Sequence, residues 1–202
     1  MTSFSTLTGA KATAGSLKSW ANHDTIPAAG ILTEAEAWVY QRLRAMEMQT
    51  SATGTVSIGA DGFALPARFI APLRLSIHDG VDELLYQHEQ LWRMPFDEDG
   101  DIREGVPTRW TILDGAVQFD SATEEAFDYT LYYYQALPPL SGSNETNFLT
   151  VRYPTLLRRV CMMFAYEFLK DWAAFDKQTV LAERALRDTL IADDQRRLGQ
   201  EL

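Results

Sequence analysis

The sequence predicts an α+β fold, mostly α: a helical bundle built from an N-terminal helix pair and two C-terminal helices, with an inserted antiparallel β-rich region. Three observations predict it. Apolar residues recur at three- and four-residue steps near both ends of the 202-residue chain, the spacing that gathers them on one helix face. Between residues 51 and 140 this rhythm gives way to short runs rich in Val, Ile, Phe and Tyr, punctuated by Gly and Pro, which is strand and turn chemistry. No internal repeat, low-complexity tract or long linker divides these parts. The chain is therefore expected to be a single domain, 1–202, with a helix pair at 1–50, a β-rich insertion with a hairpin at 51–140, and a helix pair with a tail at 150–202.

The first helix is expected over about residues 8–21, closed by the polar Asn22-His23-Asp24 cluster, with Pro27 following. The clearest amphipathic helix is 31–49, where Leu32, Ala35, Val39, Leu43 and Met46 form a stripe flanked by Trp38 and Arg42. In the β-rich part, residues 69–78 read as a strand that contains Pro72, so an edge or a bulge is expected there. Residues 84–87 are its candidate partner. The strongest local signal is 109–119, because Asp114-Gly115 suits the two positive φ values of a type I′ hairpin turn. Residues 127–135 follow as a strand carrying aromatics on both faces. Helical rhythm returns at 153–169, through Leu156, Leu157, Val160, Met163, Phe164 and Phe168. A last helix, 176–198, is polar over much of its circumference, with Leu181, Ala185, Leu186 and Leu190 as its stripe.

Composition narrows the function. Apolar types at 46% and charged types at 23% describe a folded chain. With 28 acidic against 18 basic residues, the net charge of −10 argues against a chain-wide nucleic-acid footprint. No apolar run reaches membrane-spanning length and the N-terminus lacks a secretory pattern. The single cysteine, Cys161, has no intrachain partner, which suits a cytoplasmic setting.

Motifs of chemistry are scarce. His23, His78 and His88 have no second histidine at i+3 or i+4 to share a metal, and nothing beside them in sequence forms an orienting triad. The acidic run 97–101 alternates Asp97, Asp99 and Asp101, but its glycine falls at the fourth place of a calcium loop, and Thr108 stands where the closing Glu belongs. A solvated charge run fits it better. No GxGxxG, GxxxxGK[ST] or GxSxG occurs, and Cys161 sits among apolar neighbours that disfavour a thiolate. Asn144-Glu145-Thr146 matches a glycosylation acceptor, without an export signal to give it meaning. Catalytic residues, cofactors and metals are therefore all expected to be none. What is abundant is aromatic surface: Trp20, Trp38, Trp92, Trp110, Trp172 and Tyr132-Tyr133-Tyr134. Either a protein interface or a sheet buried on both faces accommodates it.

The landmarks, taken in order, carry a resemblance. Tyr40-Gln41-Arg42-Leu43-Arg44 ends the first helix pair, and Leu65-Pro66-Ala67-Arg68-Phe69 opens a β segment. Pro107-Thr108-Arg109-Trp110-Thr111-Ile112 precedes the hairpin. Tyr132 through Leu140 leads into a Ser/Asn-rich turn, and Thr146-Asn147-Phe148-Leu149-Thr150-Val151-Arg152-Tyr153-Pro154 enters a long helix. Asn147 and Thr150 are candidate caps, and Pro154 suits a first helical turn. Over residues 20–194 this ordered set resembles the head-to-tail adaptor (connector) proteins of tailed bacteriophages, especially the short-tailed type; the acidic run departs from the pattern.

The resemblance implies a non-enzymatic virion component, assembled in the host cytoplasm as a homo-oligomeric ring, usually of twelve. Such a ring joins the portal protein to tail (nozzle or tube) proteins, extends the DNA channel, and serves genome retention and ejection. It implies no membrane partner and no specific DNA binding. It places the C-terminal helix and tail at the portal, where Arg184, Arg187, Arg196, Arg197 and Leu202 are the expected contacts, and the interface reading of the aromatic surface puts Tyr132, Tyr134 and Trp110 between subunits. A helix end frayed in solvent is the other reading of that C-terminal stretch. A small cytoplasmic protein-interaction module with a peptide groove along the tyrosine strand is the alternative function, and a hydrolase a more distant one.

Overall fold

In the computed structural model, which describes residues 2–78, 82–92 and 102–200, two compact units emerge: a helical unit, 1–48 with 137–202, and a β unit, 49–136.

The helical unit holds α1 (Phe4–Thr8), α2 (Leu17–Trp20), α3 (Ala28–Arg42), α4 (Phe148–Arg152), α5 (Pro154–Phe168) and α6 (Trp172–Gln200). The single helix expected over 8–21 is instead two short ones. Gly9 caps α1, and the Ser16 hydroxyl accepts from the Ser19 N–H to start α2. Ser and Thr favour such caps over helix interiors because their hydroxyls compete for backbone donors. Helix α3 begins after Pro27 and stops at Arg42, earlier than the 31–49 reading: Leu43 turns extended, and a 3-10 turn at Met46–Met48 delivers the chain to a strand. Asn147 and Thr150 form a reciprocal capping box on α4, and Pro154 stands in the first turn of α5. Tyr153, which precedes that proline, leaves helical geometry, so the 153–169 reading begins at a break between two helices. Helix α5 packs against α2, α3, α4 and α6, and Leu156, Leu157, Val160 and Cys161 are buried on it.

The β unit contains β1 (Gln49–Val56), β2 (Gly62–Ala64), β3 (Phe69–Ile77), β4 (Asp82–Tyr86), β5 (Arg109–Leu113), β6 (Ala116–Phe119) and β7 (Phe127–Gln135). They form one seven-stranded sheet in the order β1-β7-β3-β4-β5-β6-β2. The two outer strands are joined through residues 57–61, a link too short to let the sheet lie open, and the sheet curls into a nearly closed barrel. Phe63 of β2 stacks on Tyr129 of β7 at 3.8 Å across the interior. Trp110, Phe119, Phe127, Leu131 and Tyr133 fill the rest of that core with Leu75, Ile77 and Leu84. At the β2–β6 pairing a Cβ on Gly62 would lie 1.9 Å from the Val117 carbonyl oxygen. Only glycine lets the backbones approach so closely.

The expected architecture, a mostly helical bundle with an inserted antiparallel β region, is therefore corrected. Seven strands form one continuous sheet, and that sheet encloses a core of its own. It is also mixed, because β4 and β5 pair in parallel. Periodicity missed this because β1 is polar along most of its length, and closure depends on pairings remote in sequence. Individual strands were more legible. The hairpin turns at Asp114 (φ 48°) and Gly115 (φ 76°), the pair of positive angles that the type I′ turn requires. Pro72 sits at a register irregularity of β3, in the part of that strand that β4 does not reach.

Candidate functional site

The three histidines each take part in a local hydrogen bond. His23 accepts from the Thr25 N–H at 3.4 Å, His78 meets Asp82 at 3.0 Å, and His88 caps a short 3-10 turn by accepting from Gln90. No group of three His, Cys, Asp or Glu side chains converges as a metal site among the described residues. Cys161 is buried, and burial, reinforced by the negative charge of Glu36, pushes its thiol pKa up, away from nucleophilic use. The acidic run 97–101 lies outside the described residues.

Two buried carboxylates tie distant segments together. Glu36 of α3 accepts from the Leu140 N–H at 3.1 Å and from the Asn147 amide at 2.7 Å, which fixes the chain entering α4. Burial raises its pKa, and these donors pull it part of the way back. Asp120 follows β6 and takes the opposite course. Burial would raise its pKa, but the Arg109 and Thr108 N–H groups, the Thr108 hydroxyl and the Arg109 guanidinium, at 2.8 to 3.1 Å, outweigh it and lower the value. Asn144, the glycosylation-like asparagine, donates its amide to the Pro138 and Pro139 carbonyls and so locks its own turn.

The end of α6 carries a denser cluster. Asp193, 1% exposed, pairs with Arg196 and Arg197 of its own helix. Arg196 also reaches Glu47 at 2.8 Å and the Tyr153 hydroxyl, Arg152 joins Glu47, and Arg197 donates to the Arg44 carbonyl. Burial first, then the carboxylates of Glu47 and Asp193, push the Tyr153 pKa up to about 12. This network secures α6 to the segment after α3 and to α4. Of the cations expected to face a portal, Arg196 and Arg197 are thus engaged within their own chain. Arg184 and Arg187 are exposed on the other side of α6, and Leu202 lies outside the described residues.

The aromatic residues expected between subunits separate in the same way. Trp110 is completely buried, with its indole N–H donating to the Leu84 carbonyl at 3.2 Å. Tyr134 is buried too, and its hydroxyl accepts from Gln49. Neither keeps surface for a second chain. Tyr132 is half-buried beneath the Arg74 guanidinium, 4.2 Å from the ring centre. Of the two readings left open by composition, burial within the sheet accounts for Trp110 and Tyr134.

Exposed apolar side chains occur on both units, Ile58, Leu85 and Leu91 among them on the β unit and Val180, Ile191 and Leu198 on α6. Helix α6 buries Ala182, Thr189 and Asp193. On its opposite side Val180, Arg184, Arg187, Ile191, Asp194 and Leu198 follow one another at alternating four- and three-residue steps, and Val180, Ile191 and Leu198 are 65, 51 and 64% exposed. This outward stripe was present in the sequence but masked there by the Leu181, Ala185, Leu186 and Leu190 pattern, which proves to be the half-buried flank. A second surface is a groove of about 410 Å3 between α3 and α5, with Ile31, Phe164 and Phe168 along it and Glu34 and Glu167 at its rim. No helix among the described residues is long and apolar enough to cross a membrane.

Compared with known proteins, residues 3–201 match the family described as SU10 adaptor protein. No curated protein matches the chain. The match spans nearly the full sequence, and the chain belongs to that family of phage head-to-tail adaptors.

Proposed function

For this member of the SU10 adaptor family, we propose a structural role in the virion: copies of the chain assemble as a ring, usually of twelve, that joins the portal to the tail of a short-tailed phage. The ring extends the DNA channel and takes part in retaining the genome and releasing it. The observation that carries this reading is the family match over residues 3–201. The outward stripe of α6 supports it, because a lone subunit has no use for apolar residues and arginines aligned on an exposed helix face.

The net charge of −10 fits a conduit. Each phosphate neutralised by a lysine or arginine would add counterion-release affinity and slow the passage of DNA. An acid-rich chain avoids that drag. Electron micrographs of the purified protein mixed with its portal test the proposal. Rings stacked coaxially on the portal are expected, and persistently bare portals overturn it. Duplex DNA titrated at low salt is expected to leave fluorescence anisotropy unchanged.

A further inference from the structure

Helix α6 places two arginines, three exposed aliphatic residues and, toward its end, Asp194 on one outward stripe, while the α3–α5 groove places two glutamates beside exposed aromatic surface. Among the described residues, Arg184, Arg187, Glu34 and Glu167 have no ion-pair partner within the chain. We propose that these surfaces are the two halves of one subunit interface: the outward stripe of α6 in one copy docks in the α3–α5 groove of the next. The inference rests on the ring reading above and specifies which faces close it.

Charge singles out a second copy as the occupant. In a chain of net charge −10, two copies repel over most of their surface. The part of the stripe that carries Arg184 and Arg187, a turn or two before Asp194, escapes this repulsion where it meets a glutamate-rimmed groove, and every copy carries such a groove. Apolar matching runs in parallel. Phe168, 51% exposed, and the half-buried Phe164 offer aromatic surface to Ile191, one turn from Arg187 on the stripe, and helix ridges of this spacing pack into a groove between two helices. Stripe and groove are different surfaces of one chain, so the contact is head-to-tail. That kind of contact propagates from copy to copy and ends only when a ring closes. A self-complementary patch would stop at a dimer.

Gly30 makes the idea testable without disturbing the fold. It lies on the groove, and a Cβ added there meets no atom within 4 Å. Gly30→Arg sets a bulky cation where the arginines of the next copy would arrive.

The experiment uses the full chain incubated with portal. Gly30→Cys combined with Val180→Cys or Ile191→Cys, treated with a flexible bis-maleimide, is expected to give a ladder of multimers on a denaturing gel. Each single-cysteine variant is expected to give no ladder. Gly30→Arg is expected to weaken ring formation at least tenfold with unchanged circular dichroism. Arg184→Glu with Arg187→Glu is expected to do the same, and adding Glu34→Arg with Glu167→Arg to that chain is expected to restore rings. A missing ladder while micrographs still show rings on the portal overturns this interface and leaves the ring reading standing. So does cross-linking of Ile191→Cys to the portal, or a stripe-to-stripe dimer from Ile191→Cys alone. Absence of rings from the unaltered chain overturns both.

Discussion

The helical unit and the β unit hold themselves together by different means, and the contrast shows where each can meet other molecules. The β unit is organised around bulky aromatic side chains, with Trp110 and Phe119 wholly enclosed and Phe63 stacked on Tyr129. The helical unit has an aliphatic core but secures its chain crossings with buried carboxylates, Glu36 beneath Leu140 and Asn147, and Asp193 beneath two arginines. Aromatic packing uses up the rings it needs and leaves none of Trp110 outside. Ionic anchoring occupies one side of α6 and leaves Val180, Arg184, Arg187, Ile191 and Leu198 on the other. The stripe proposed above for assembly therefore lies on a helix, while Leu85, Tyr86 and Leu91 keep exposed apolar surface on the β unit as well.

Three changes sharpen or break this contrast. The largest effect is expected from Trp110→Ala, which empties the barrel centre and removes the indole hydrogen bond to the Leu84 carbonyl; a loss of about 4 kcal/mol follows from the cavity and transfer terms together. Hydrogen exchange should lose protection across 49–136, and loss confined instead to the helical residues would break the distinction between the units.

Next in size is Asp193→Ala, which leaves Arg196 and Arg197 without their carboxylate. About 3 kcal/mol is expected, the low end for breaking a buried pair, since both guanidinium groups keep about a third of their surface in water. Its exchange signature should fall on α6, α4 and residues 43–48.

The smallest effect is a divergence in acid. Glu36 has a folded pKa raised above 4.5, so its contribution favours the folded state below 4.5 and is lost as pH climbs through the raised value. Asp120, lowered from 3.8, contributes stability that is complete above 3.8 and lost as pH falls through its depressed value. Melting followed from pH 7 downward should show the helical unit gaining slightly before pH 4.5, and the β unit weakening only below 3.8. Glu36→Gln should remove the first trend and Asp120→Asn the second.

How much was legible beforehand varied with the range of the interaction involved. Asp114-Gly115, Asn147 with Thr150, and Pro154 act on their immediate neighbours, and their roles follow from backbone sterics and a few nearby donors. The family landmarks persisted because they are such local signals set in order. The Trp110 and Tyr134 misplacement has another origin: an alternating aromatic strand looks the same whether a neighbouring chain or its own barrel covers it. For α6, two overlapping apolar patterns were written in one helix, and the buried positions of Ala182, Thr189 and Asp193 show which side faces inward.

Residue order alone was sufficient for the turns, the caps, the acid excess and membership in the adaptor family, because short-range sterics and summed charge need no knowledge of distant neighbours. Closure of the barrel, the burial of Trp110, and the freeing of Arg184 and Arg187 while Arg196 and Arg197 are held came from folding in three dimensions. Each depends on groups far apart in the chain competing for the same enclosed space or the same carboxylate, and that competition is resolved only when they meet.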